Sequence, residues 1–389
     1  AYENTVSVLS AETGGFMNEK SLECLKFYDM QIKKMVKGRG GVILFTDRGC
    51  RLFLECTRND GFYYRDDAVT NAVREAGFNR VDTYVRNDDG ELFTSGEDGR
   101  RYVMKNWFSG RECDVKSAND VTEAVRTLAR LHICLNVVSA KGVKYVCDNG
   151  SQNINKQWEC MALSELEGEK PEAELKASES CVQNVVRFDK GSGIRQNVDR
   201  HTREIKKAAN YMRGKKKKNE FEQIALGAID QFYDEASEAG ACIKSQRFDA
   251  RFERMEQTNE LVHGSYNYHN VFLDADGSEN AVTNFEKCHN DCQIADLYQF
   301  LRKVMEKHDW DINIAYRLVD EYDKLKPLDD DDLDMLAAML SFPEKFWKII
   351  NQYYNAGKAW VPAKNIEKLK TVIAQNVRRR ELIDKMCGL

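Results

Sequence analysis

The feature that most constrains this chain is a change of hydrophobic period near residue 110. Before it, apolar residues alternate in short runs; after it, they recur every three or four positions over long stretches. Such a chain has to build sheet first and helix second. From Gly40, GGVILFTDRGCRLFLECT reads as two strands joined by Asp47-Arg48-Gly49, which suits a tight antiparallel turn. Asp66 to Ala76 carries apolar residues at near-helical spacing and stops at Gly77. VDTYV, ELFTS and RYVMKNWF then give three more strands, the last pair about Gly99. Past Trp107-Phe108-Ser109-Gly110, SANDVTEAVRTLARLHICLNVV takes the helical period, with Ser117 or Asn119 available as a cap. Long charged helices are expected at about 197–213 and 220–239, and helices return from Ile294 to the end. Residues 149–180, polar and acidic, read as an exposed insertion.

A length of 389 residues accommodates two domains, and 42% hydrophobic with 31% charged residues is the composition of a globular chain with ample core. The net charge of -5 gives no whole-molecule field for a polyanion, so nucleic acid is not an expected partner. The basic run Arg213, Lys215, Lys216, Lys217 and Lys218 reads as a solvated helix end. Twelve scattered cysteines lack the spacing of a disulfide scaffold, which fits a reducing cytosol, and Cys288 and Cys292 have no second ligand pair to make a zinc site. The beginning of the chain has no signal-like apolar run, and nowhere do about 18 apolar residues follow one another, so neither export nor membrane spanning is expected.

The chemistry is concentrated in VHGSYNYHNVFLDADGSENAVTNFEKC, Val262 to Cys288. The runs Val271-Phe272-Leu273 and Ala281-Val282-Thr283 flank an Asp-rich turn containing Gly, which makes a hairpin. His263, Ser265, His269, Asn270, Asn284 and Glu286 then sit at its outer ends and converge. A phosphoryl-transfer centre needs such a set: an acceptor for the nucleophile's proton, an amide for metal, an acid for metal and phosphate.

HGSYNYHN followed by NFE resembles the HGDxxxxN and DFE-type pair of the aminoglycoside-phosphotransferase and choline-kinase superfamily. YVRNDDGELF, RYVMKNWFSGREC, VRTLARLH, DRHTREIKK and NFEKCHNDCQIADLYQFLRKVMEKHDWD are more specifically similar to strings of the CotS family of spore-coat proteins. The resemblance implies an α+β, protein-kinase-like two-lobed fold: a small antiparallel-sheet lobe over residues 1–106, a hinge at 107–110 and a mainly helical lobe over 111–389. It implies a nucleotide-binding cleft met by Asn106, Trp107 and Phe108, catalytic positions at His263, Ser265 and Asn270, and metal positions at Asn270, Asn284 and Glu286. Asp296 resembles the acid that holds the catalytic loop, though an acid favoured by a helix N-terminus reads the same way. Arg130 and His132 read as packing and pairing residues.

The departures from the family pattern are equally specific. Ser265 stands where the superfamily has its catalytic Asp, and a hydroxyl is no carboxylate base. Asn284 stands where a metal-binding Asp begins the second motif. The phosphate-pairing lysine is expected near Leu54, with Arg51 or Lys105 as substitutes. ATP and Mg²⁺ are the cofactors the resemblance brings, and their loss is equally open. The resulting expectation is a degenerate kinase, made in the cytoplasm and residing in the spore coat with coat proteins as partners; the alternative is a working phosphotransferase on a small hydroxyl-bearing molecule.

Overall fold

Period-two alternation makes the first sheet. In the computed structural model, which describes residues 19–38, 40–148, 181–186, 188, 193–274, 279–356 and 363–388, strands β1 (Ile32–Lys37), β2 (Gly41–Thr46) and β3 (Gly49–Glu55) form an antiparallel meander. The β2–β3 turn closes at Gly49, whose φ of +94° lies in the left-handed region that glycine enters freely. Helix α1 (Asp60–Glu75) follows, started by Asn59, whose side chain accepts from Phe62 N–H. Next come β4 (Tyr84–Val85), β5 (Thr94–Ser95) and β6 (Arg101–Asn106). The sheet order is β1-β2-β3-β6-β4, with β5 also on β6. The expected order of elements is present, with β1 as an added strand. VDTYV and ELFTS pair with β6 over only two residues each.

Alternation also assigns the faces. Phe53, Tyr102 and Met104 join Leu22, Leu25, Val42 and Leu44 in one core layer. Val103 packs on the opposite face with Tyr63, Tyr84, Leu92 and Leu54. Lys105, two residues on from Val103, therefore shares the second face with Leu54.

Beyond β6 come β7 (Arg111–Glu112) and α2 (Ala118–Lys141). The α2 cap is Ser117, whose Oγ accepts from Asp120 N–H at 3.3 Å. Strands β8 (Lys144–Asp148) and β9 (Cys181–Val185) pair antiparallel; the sequence had not announced this hairpin, and the expected insertion between them lies outside the described residues. Helices α3 (Ile194–Gly214), α4 (Glu220–Lys244) and α5 (Asp249–Thr258) follow. α4 opens on a capping box in which Asn219 and Glu222 exchange side-chain and backbone bonds. Strand β10 (Leu261–Val262), the hairpin β11 (Val271–Leu273) with β12 (Ala281–Val282), and β13 (His289–Asn290) come next. The chain ends in α6 (Ile294–Met305), α7 (Ile312–Asp323), α8 (Asp330–Ser341), α9 (Glu344–Ala356) and α10 (Ala363–Met386).

The chain divides into two compact units. A sheet unit comprises 1–113, 133–188 and 268–288; a helical unit comprises 114–132, 189–267 and 289–389. In the sheet unit the β11–β12 hairpin pairs as expected, Val271 opposite Val282, and β7 adds to β11. Most of its Asp-rich turn lies outside the described residues. In the helical unit α3 packs along α4, and Phe232 stacks on Phe346 at 3.9 Å between ring centroids. The basic run after α3 ties itself locally: Lys215 Nζ donates to Glu222 at 2.5 Å and Lys218 Nζ to the Lys215 carbonyl at 2.9 Å. Among the described residues no helix is long and apolar enough to cross a membrane.

Candidate nucleotide cleft and motif loop

The sheet unit holds an open cleft of about 730 Å³. Leu52 and Leu54 of β3, Lys105 of β6, Asp82, Trp107, Glu112 of β7, His269, Phe272 and the motif residues Thr283, Asn284 and Glu286 line it. Its walls are set by two pairings already described. Strand parity on β3 and β6 turns Leu52, Leu54 and Lys105 to one side, and the addition of β7 to β11 brings Glu112 beside His269, Nδ1 to Oε2 2.8 Å.

Lys105 is 3% exposed and held by two carboxylates. Its Nζ lies 2.7 Å from Asp66 Oδ2 of α1 and 3.0 Å from Asp82 Oδ2. Burial opposes the charge of the ammonium, but Asp66 and Asp82 outweigh it and raise its pKa well above the ordinary value. Asp66 Oδ2 also accepts from the Tyr84 hydroxyl at 2.9 Å. Asp66 Oδ1 and Asp82 Oδ1 are buried without a hydrogen-bond partner. The trio carries a formal charge of minus one out of water. Burial accordingly pushes the Asp82 carboxyl up to about 6, against the pull of Lys105. Asp67, which pairs with Arg86, is raised to about 6 by the same cause.

The second motif meets this trio through its backbone. Asn284 takes φ +68°, a left-handed conformation that Asn tolerates better than most residues. Its N–H donates to Asp82 Oδ2 at 3.2 Å, and its side-chain amide donates to Asn270 Oδ1 at 2.9 Å. The amides of Asn270 and Asn284, two of the three expected metal positions, are thus bonded to each other. A divalent cation fits this arrangement poorly. Mg²⁺ asks for several charged oxygens in near-octahedral array, whereas the carboxylates of Asp66 and Asp82 flank an ammonium. Among the described residues, no three His, Cys, Asp or Glu side chains group to hold a metal.

Of the three residues expected at the adenine edge, only Trp107 lines the cleft. Its ring meets Phe272 edge-on at 5.2 Å. Asn106 turns its amide to Thr83 Oγ1, and Phe108 lies under the Arg80 guanidinium.

The first motif begins in the helical unit, where its loop is held by Asp296. This wholly buried acid accepts from His263 N–H at 2.6 Å and Gly264 N–H at 3.0 Å. Its third partner is His132 Nε2 at 3.2 Å, whose Nδ1 meets the Tyr322 hydroxyl at 2.6 Å. A carboxylate only accepts, so Nε2 carries the proton and Nδ1 accepts from Tyr322. Burial lowers the His132 pKa and keeps the ring neutral. Burial would raise Asp296, but the hydrogen bonds from His132 and His263 hold it below the ordinary carboxylate range. Asp296 is therefore more than an acid at a helix N-terminus: it fixes the turn on which Ser265 stands. The Ser265 N–H donates to His263 Nδ1 at 3.3 Å.

Residues 203–386 match the family described as "Spore coat putative kinase YutH". The chain also superposes on an aminoglycoside phosphotransferase from Alicyclobacillus acidocaldarius with a TM-score of 0.71 at 15% identity, covering 94% of each chain. The likeness establishes a protein-kinase-like fold for the chain. This kinase-like protein is similar, too, to spectinomycin phosphotransferase APH(9)-Ia in complex with ADP and spectinomycin, with a TM-score of 0.54, 9% identity and 98% of each chain covered. No curated protein matches it.

Sequence reasoning about this kinase-like chain named Lys105 only as one substitute of two and did not pair it with Asp66 and Asp82. The signal was present in VDTYV, where an acid interrupts a strand-like run, and in RYVMKNWF, where a lysine occupies an inward parity. Arg51 does not line the cleft: it alternates with Leu52, shares the parity of Phe53, and turns its Nη1 to the Cys50 carbonyl at 2.8 Å.

Proposed function

We propose that this protein is a spore-coat-associated, degenerate kinase that keeps its cleft as a nucleotide-binding module and has lost efficient phosphoryl transfer. The observation that carries the reading is the bond from the Asn284 amide to Asn270 Oδ1. It ties Asn284, which stands in for an expected acid, to the retained Asn270 and leaves Glu286 as the one charged group of the three expected metal positions, while Ser265 leaves no carboxylate to accept a proton. A general base is worth about 10²–10⁴ in rate. The size of the cleft and the aromatic Trp107 at its edge support retention of a nucleoside ligand. The matched family description names the spore coat, and this reading takes coat proteins as partners.

The test is thermal unfolding and turnover with ATP, with and without Mg²⁺. The expected result is a rise in unfolding temperature at millimolar nucleotide and hydrolysis or transfer no faster than background. The alternative reading, an active phosphotransferase, draws support from the Asp296-held loop and the retained Asn270 and Glu286. Turnover by the wild-type protein that depends on Asn270 and disappears in Glu286→Ala would establish it and overturn the degenerate reading.

A further inference from the structure

The face of β3 that lines the cleft offers Leu52 and Leu54, so it presents no cation to a ligand. The neighbouring strand presents one at the same level. Lys105 stands directly opposite Leu52 in the β3–β6 register and lines the cleft with Asp82, Thr283 and Asn284. Two of its three N–H donors are used by Asp66 and Asp82. The third is available to a ligand oxygen, with the Tyr84 ring 4.6 Å from Nζ.

We propose that Lys105 is the phosphate-facing cation of this cleft, delivered from β6 in place of a lysine on β3, with Asp66 and Asp82 as the carboxylates that position it. The ligand class is a nucleoside diphosphate or triphosphate. The inference rests on the nucleotide reading of the cleft and adds to it the group that holds the phosphates. Lys37 and Arg58 line the same cleft but are exposed. Lys105 is the buried cation on the cleft face among the motif residues, with both carboxylates anchoring it from the protein side. One charge-assisted hydrogen bond to a phosphate oxygen corresponds to about tenfold or more in affinity.

The experiment is calorimetric titration of the full chain with ADP and with adenosine, in EDTA so that metal contributes nothing. Wild type is expected to bind ADP about tenfold or more tightly than adenosine. The double variant Lys105→Gln with Asp66→Asn removes the cation together with one of its acids. It is expected to bring ADP to within about twofold of adenosine while leaving adenosine affinity unchanged. Adding Leu54→Lys to that background returns a cation to the same face and is expected to restore the ADP advantage. Lys105→Arg keeps the buried charge balance, guarding against a double variant that does not fold. It is expected to lose at least about threefold of the advantage, because a planar fork between two carboxylates presents its donors differently. An ADP advantage unchanged in the double variant, or in Lys105→Arg where the double variant is unfolded, overturns the assignment and leaves the nucleotide reading standing. Failure of wild type to bind either ligand overturns both.

Discussion

Asp82 shows how one buried residue couples the cleft to pH. Its carboxyl is raised from 3.8 to about 6, so the folded chain holds this proton more tightly than the unfolded one. For an acid shifted in that direction, the stability contribution is greatest below about pH 4 and is lost as pH rises towards about 6, by up to about 3 kcal/mol. Asp82→Asn is expected to flatten the urea-unfolding free energy between pH 4 and 6 relative to wild type; an unaltered profile would show that the shift belongs to a neighbour. Asp296 is the opposite case, an acid stabilised by its partners. Asp296→Ala strands two backbone N–H groups and the His132 Nε2–H in the interior of the helical unit. Its expected cost is about 3 kcal/mol or more, read as a lower urea midpoint at constant slope. The sequence had assigned His132 to pairing, which is what it does. It could not separate two readings of Asp296, because a helix-opening acid and a loop-holding acid look identical until the loop is seen to return to it.

At the scale of elements, the short strand β7 does more than its two residues suggest. It pairs with β11, Phe272 opposite Glu112 and Leu273 opposite Arg111, and so sets the spacing of the cleft's motif side. The approach is close at Gly110, where an added Cβ would meet the Leu273 carbonyl oxygen at 2.3 Å. Gly110→Ala is therefore expected to push β7 off β11, lowering the unfolding temperature by several degrees and weakening nucleotide binding about tenfold. Thermal unfolding and titration with ADP check it, and retention of both properties would mean that the backbone there yields cheaply. Long elements were the easier part to read from sequence. α2, α3 and α4 each bury one stripe over more than four turns, so period alone located them within a few residues. β4, β5 and β7 pair over two residues apiece, too few to generate a period.

For the whole molecule, restoring the acids expected at Ser265 and Asn284 is informative. Ser265→Asp with Asn284→Asp adds two carboxylates, one of them beside Asp82. Without metal, the added charge near Asp66 and Asp82 is expected to lower the unfolding temperature. With millimolar Mg²⁺ and ADP, the loss is expected to be recovered, because a hard cation is held by anionic oxygens. Thermal unfolding with and without Mg²⁺ measures both, and a variant indifferent to the metal would show that the introduced acids hold no cation. The sequence by itself determined the sheet-then-helix order, the β11–β12 hairpin and the identity of the motif residues, because period, turn chemistry and residue type are local properties. Tertiary structure decided the rest. That Lys105 and not Arg51 lines the cleft follows from strand parity in a sheet whose β3–β6 pairing spans about fifty residues of chain. That its partners are Asp66 and Asp82 follows from helix and strand packing, where burial without water makes each unpaired carboxylate oxygen costly and thereby gives these acids a role that no spacing in the sequence announces.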